Sequence, residues 1–345
     1  MARPSPPRRA HTVEFGTLVG LEDLAAEELG ELLGGKGPID RTRPGFLRVR
    51  LHDLSLAERP RIAGVAYLVS HFEVPRPKAL LGSQHLDALT GELRHVVGRH
   101  PGRFTGVRLG AAGASSPVMQ RLAAALAESV SLPVDPDDGD LVVRVYPDAG
   151  GWTAAIRLTP RPLSARPWQV VGFPGALEST VAAAMVRLGR PHADDVFVDP
   201  CCGSGTIAIE RVTAGPARGV LAVDLDSYAL GALRNNIAAA GSVAVTPVHG
   251  DASRLPFGAA QVSSMAANPP WGHQMGTPEL TRELYPSLLA EAARVTRPGS
   301  RFVLLSHQVR WTQRVLAESP HWSIERERSL TLRGHHPRIW TLVRS

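Results

Sequence analysis

From about Gln169 onward the chain repeats one pattern: a short apolar run, a break, then a segment of helical period. The strand-like runs are Val196–Asp199, Gly219–Asp224, Ala244–His249, Ser263–Asn268 and Arg301–Ser306, and helices are expected over Thr206–Ala214, Ser227–Ala240 and Pro278–Val295. Alternation of this kind predicts an α/β fold with a doubly wound, mostly parallel sheet. Two further runs, Ser323–Leu332 and Arg338–Arg344, follow one another without a long helix, which predicts an antiparallel pair at one sheet edge.

The first half reads differently. Residues 1–12 carry Pro4, Pro6 and Pro7 among Arg3, Arg8 and Arg9 and read as a flexible basic tail. A strand-like run (Val13, Phe15, Thr17, Val19) then leads to a helix with Leu21, Leu24, Ala25, Leu29 and Leu32 at helical spacing, stopped by Gly34 and Gly35. An alternating strand from Phe46 to Leu51 completes a small α+β unit over residues 13–60. A second α+β unit spans 61–165, with strands expected at Val65–Val74, Phe104–Leu109, Asp140–Tyr146 and Trp152–Leu158, and helices at Leu86–Val97 and Ser116–Ser131. The Pro- and Arg-rich stretch Thr159–Trp168 links it to the last unit, 166–345.

At 345 residues, 43% hydrophobic and 20% charged, the chain is long enough for several buried cores and is neither fibrous nor wholly disordered. No apolar run reaches a spanning length, and the basic N-terminus has no apolar stretch behind it, so no membrane span or secretory signal is expected. The cysteines, Cys201 and Cys202, are adjacent, which speaks against a bridge and for a reducing, cytoplasmic setting. The formal charge is +6, carried almost wholly by arginine, since Lys36 and Lys78 are the lysines. Such a surface suits a phosphate-bearing partner, although a biased codon usage explains the arginine equally well.

Two motifs carry the chemistry. Val196-Phe-Val-Asp-Pro-Cys-Cys-Gly-Ser-Gly-Thr206 is a buried strand running through a glycine loop into a helix. Gly203 and Gly205 are expected to let the backbone approach a ligand, and the helix start at Thr206 offers free N–H groups. Asp224 ends the next strand, where an acid can hold ribose hydroxyls. Gly203 to Ala208 also fits a dinucleotide fingerprint, but Asp199 stands before the loop and would repel a pyrophosphate. A carboxylate there suits a cationic ligand end, such as the amino group and sulfonium of S-adenosylmethionine. The third strand leads to Asp251-Ala252, where an acid can accept from an exocyclic amine such as adenine N6.

The second motif, Asn268-Pro269-Pro270-Trp271, follows the fourth strand. Two prolines cannot donate into a ladder, so pairing should end there. The Asn268 side-chain oxygen and the Pro269 carbonyl are then acceptors at the sheet's carboxyl edge. Acceptors on both hydrogens of a planar amine draw its nitrogen toward tetrahedral geometry and expose its lone pair for in-line displacement. Trp271 can stack on an unstacked base.

These residues resemble the class I S-adenosylmethionine-dependent methyltransferases with an Asn-Pro-Pro-aromatic loop. The closer likeness is to the THUMP-domain RNA guanine-N2 methyltransferases, and it covers nearly the whole chain. Gly20 to Leu29 is similar to the helix opening the family's ferredoxin-like domain. Arg103 to Arg108, the helix after Ser116, and Pro133 to Val143 are similar to a THUMP domain. Leu163 to Trp168 resembles the junction to the catalytic domain, and Phe173 to Thr180 the motif before its first strand, which contacts the cofactor. Gly334 to Ile339 resembles the terminal hairpin.

The resemblance implies a ferredoxin-like domain (13–60), a THUMP RNA-binding domain (61–165) and a Rossmann-like class I methyltransferase domain with a seven-stranded sheet (166–345). It implies S-adenosylmethionine held by Asp199, Cys202, Gly203, Ser204, Gly205, Thr206, Asp224, Asp251, Ala252, Asn268 and Thr180, with Asn268, Pro269, Pro270 and Trp271 catalytic and no metal. Trp271 departs from the commoner Tyr or Phe, and Cys201 from the usual residue; both cysteines are read as loop packing. The implied reaction is methylation of guanine N2 in tRNA, at an acceptor-stem position such as 6 rather than 10, by a monomer. A ribosomal RNA guanine is the next substrate, and a non-catalytic RNA-binding factor is the alternative of another class.

Overall fold

The computed structural model describes residues 10–35, 37–241, 244–270, 278–332 and 334–345; most of the expected tail, and Trp271, lie outside these. The chain divides into two compact units, one taking in residues up to Thr17 with Ala25–Leu163, the other Leu18–Leu24 with Ser164–Ser345.

The first unit's elements are β1 (His11–Gly16), α1 (Glu22–Leu32), which crosses the division, β2 (Asp40–Arg43), β3 (Phe46–Leu51), β4 (Val65–Phe72), α2 (Ser83–Arg99), β5 (Val107–Ala111), α3 (Pro117–Ser129), β6 (Leu141–Asp148) and β7 (Gly151–Arg157). Its strands form one sheet in the order β2-β3-β1-β4-β7-β6-β5. The residues on either side of position 60 therefore share a sheet: β1 pairs with β3 on one side and with β4 on the other. Alternation decides the faces. Val13, Phe15, Leu47 and Leu68 are buried on one, while the other carries Glu14 in ion pairs with Arg43 and Arg48 at 2.8 and 3.0 Å. The strand β2 was not evident in sequence; its Asp-Arg-Thr-Arg has no apolar alternation and lies at the sheet edge.

The second unit holds α4 (Ser179–Leu188), β8 (Val196–Asp199), α5 (Thr206–Thr213), β9 (Gly219–Asp224), α6 (Ser227–Ala240), β10 (Val245–His249), β11 (Val262–Ala267), α7 (Pro278–Val295), β12 (Thr296–Ser306), α8 (Val309–Glu318), β13 (Trp322–Ser329) and β14 (Arg338–Arg344). Among the described residues the strands form a seven-stranded sheet, β10-β9-β8-β11-β12-β14-β13. It is parallel through β12, and β14 inserts antiparallel between β12 and β13. The strand order reverses between β8 and β11, and a crevice at the carboxyl ends of the strands opens at such a reversal. The core around it includes Val198, Met265, Phe302, Leu304 and Trp340.

Two bounds differ from expectation for physical reasons. Asn268 leaves the ladder, which ends at Ala267, because Pro269 and Pro270 have no N–H to carry it further. β12 starts at Thr296, whose pairing with Val262 precedes an irregularity before the ladder resumes at Ser264 and Arg301.

Candidate active site

The carboxyl ends of β8, β9, β10 and β11 converge on a cavity of about 410 Å³. Asp199 and Asp224 close their strands, Asp251 follows β10, and Asn268 follows β11 directly. All four line the cavity, together with Cys202, Gly203, Ser204, Thr206, Ala252, Pro269 and Pro270. Residues spread over some 70 positions thus meet because each strand of a parallel sheet delivers its carboxyl end to the same edge.

Two expected cofactor residues do not line it. Gly205 has φ +88°, and a Cβ there would stand 2.2 Å from Leu233 Cδ1. Its missing side chain serves the packing of the start of α5 against α6, not close approach to a ligand. Thr180 is buried in the first turn of α4, and the wall supplied by that motif is Phe173–Leu177 instead. Gly203, with φ +51°, does line the cavity. Trp271 lies outside the described residues.

The electrostatics are one-sided. Asp199 is 1% exposed; its Oδ1 accepts from Cys201 N at 3.4 Å, while its Oδ2 is buried with no hydrogen-bond partner. Burial, reinforced by nearby Asp224, pushes its carboxyl well above the usual range. Asp224 accepts from Gly203 N at 2.8 Å and from Asp226 N at 2.9 Å, so it also shapes the glycine loop. Asp251 accepts from the Ser253 amide and hydroxyl at 2.8 and 2.7 Å. Among the described residues no Arg or Lys lines the cavity. A buried acceptor without a donor, among further carboxylates, fits a ligand that brings its own cationic N–H groups.

The Asn268 Nδ2 donates to Gly175 O at 3.4 Å, a long bond that ties the strand end to the Phe173–Leu177 wall. Cys201 packs against the core, and burial with surrounding carboxylates pushes both thiols up, which disfavours a thiolate nucleophile. Sequence reasoning missed Leu225, Ile207 and, from α7, Glu283, Leu284 and Ser287, which also line the cavity. Glu283 and Ser287 are spaced i,i+4 on a helix following the catalytic loop, which was the available signal.

Comparison with known proteins agrees with this geometry. Residues 166–338 match the family model UPF0020, described as RMKL-like, methyltransferase domain. A tRNA (guanine(6)-N2)-methyltransferase of Thermus thermophilus is 32% identical over 340 residues, 96% of this chain and 98% of that protein. The tRNA (guanine(6)-N(2))-methyltransferase THUMP3 of Mus musculus is 32% identical over 205 residues, 55% of this chain and 40% of that protein. The crystal structure of TrmN from Thermus thermophilus matches with a TM-score of 0.77 at 28% identity, covering 97% of this chain and 100% of that one. The fold, the strand-edge cavity and these matches agree, and the chain belongs to the RMKL-like methyltransferase family.

Proposed function

We propose that this protein transfers a methyl group from S-adenosylmethionine to the exocyclic N2 amine of a guanosine in tRNA, at position 6 of the acceptor stem. The observation that carries the reading is a cavity lined by Asp199, Asp224 and Asp251, with an Asp199 oxygen that has no partner, into which Asn268 and Pro269 follow from the adjoining strand end. The names of the relatives supply the nucleobase and the RNA class.

When bound, S-adenosylmethionine supplies an electrophilic methyl on a cationic sulfur. Asp199 would accept from its amino group, Asp224 from its ribose hydroxyls and Asp251 from its adenine amine, and Cys202–Ser204 and Phe173–Leu177, which line the cavity, would enclose it. Asn268 Oδ1 and the Pro269 carbonyl accept the two N2 hydrogens of guanine, which exposes the nitrogen lone pair and orients it. The surplus proton leaves the methylated amine to solvent, so no buried base is required. Trp271 stacks on the flipped base.

The first unit is the RNA-binding half. We assign residues 13–60 to the ferredoxin-like part and 61–165 to the THUMP part of one shared sheet, the latter holding the tRNA and setting its reach, and 166–345 to catalysis. We assign it to the cytoplasm, as a monomer; its two free thiols suit a reducing setting.

Unmodified tRNA transcripts that differ only at guanosine 6 or guanosine 10 test the position. Label should disappear when position 6 is changed to adenosine and persist when position 10 is changed; the reverse pattern would overturn the assignment.

A further inference from the structure

α6 places an asparagine where a helix core normally takes an apolar side chain. Asn236 is 0% exposed, on the same face as Leu233, whose Cδ1 fills the space that a Gly205 side chain would need. Its amide uses all four of its hydrogen-bonding valences. Oδ1 accepts from Val170 N and Val171 N, each at 3.0 Å. Nδ2 donates to Val171 O at 3.2 Å and to Ser204 O at 3.1 Å.

One partner lines the cavity and the other two lead into another stretch of its wall. Ser204 belongs to the glycine loop, 2% exposed and lining the cavity. Val170 and Val171 lie in the irregular segment that runs directly into the lining residues Phe173–Leu177. That segment belongs to no ladder; Val170 N also reaches Trp168 O at 2.9 Å, whereas the Val171 N–H and C=O are both met by Asn236. One buried side chain therefore bridges residues 34 positions apart that must be correctly spaced around one ligand.

We propose that Asn236 is a positioning residue of the cofactor site: a clamp that fixes the Phe173–Leu177 wall against the glycine loop, so that the cavity is preformed before the ligand arrives. The inference rests on the reading of this cavity as the S-adenosylmethionine site. A satisfied polar network of this kind specifies one geometry, where an apolar side chain of similar volume would fill the space without fixing the loop. Asn236 touches no reacting atom, so its loss should act on cofactor binding rather than on the chemical step.

The test uses the full chain, with S-adenosylhomocysteine as the calorimetric probe. Asn236→Asp keeps the acceptor for Val170 and Val171 and loses the donors, including the link to Ser204; Asn236→Ala removes both. Each should weaken S-adenosylhomocysteine binding by about 10-fold or more and raise the KM for S-adenosylmethionine in step, by analogy with other supporting-shell losses. kcat at saturating cofactor, and the KM for RNA, should stay within about threefold. A folded variant that binds the probe within twofold of wild type would overturn the proposal, as would a fall in kcat alone. Hydrogen exchange on the unaltered, ligand-free protein needs no variant to fold. The Val171 amide, whose acceptor is Asn236 Oδ1, should be protected, and free exchange there would refute the clamp. If wild type fails to bind the probe, the cofactor reading itself falls and this proposal with it, an outcome distinct from a defect confined to the variants.

Discussion

Asp199 is buried, and its Oδ2 has no hydrogen-bond partner. Its folded pKa is raised, so the carboxylate is disfavoured by folding. The linked loss of stability begins as pH rises through the unfolded carboxylate value and is complete above the folded one. A cation at Oδ2 reverses the sign. Asp199→Asn should therefore raise the unfolding temperature of the ligand-free protein at neutral pH and weaken S-adenosylmethionine at least about tenfold, the loss of a charge-assisted bond. A calorimetric titration beside a thermal melt reads both; unchanged affinity would contradict the role. Asn268→Ala should lower kcat by roughly 10²–10³-fold, the scale for removing one preorganised polar group. Its cofactor affinity should stay near wild type, and retained turnover would sink the acceptor mechanism. Asp199, Asp224, Asp251 and Asn268 were legible because each is a polar residue closing an apolar run. The role of Gly205 was not, because its neighbour, Leu233, lies on the next helix and no local pattern shows which side chain will fill the space.

At the scale of elements, the strands of the sheet could be read because they are short, apolar and separated by amphipathic helices. α4 escaped, because Val181 through Val186 are all buried and the segment has no polar face to give a period. α8 escaped for the opposite reason: ten residues with Arg310, Gln313 and Arg314 bury only Thr312, Val315 and Leu316. The junction of β8, α5 and α6 makes a sharp prediction. Gly205→Ala places a Cβ both at positive φ and inside Leu233. Left-handed strain and overpacking each cost about 1–3 kcal/mol. The variant should unfold at lower denaturant than wild type, and Gly205→Ala should cost less in a Leu233→Ala background, where the clash is gone and the backbone share remains. An equal cost in both backgrounds, measured by urea unfolding, would show that the contact is not the constraint.

For the whole molecule, the parallel sheet and the basic, arginine-rich composition address different ligands. The cofactor cavity has no lining Arg or Lys among the described residues, whereas the chain carries a formal charge of +6. RNA affinity should therefore fall steeply with salt, with a log–log slope of about −2 or steeper, since each phosphate contact contributes about −0.7 to −0.9. S-adenosylhomocysteine affinity should change little over the same range. A flat RNA dependence would contradict backbone recognition. The separation of the first half into two α+β segments was an expectation that alternation alone could not refine, because β1 joins β3 and β4 into one sheet through pairings far apart in sequence.

The methylated nucleoside identifies the reaction. Unmodified total RNA, from cells lacking the activity, is incubated with the protein and labelled S-adenosylmethionine, then digested and resolved by mass spectrometry. N2-methylguanosine in the tRNA fraction is the expected product. Label on adenosine, on ribosomal RNA alone, or on no nucleoside while S-adenosylmethionine is bound, would contradict it.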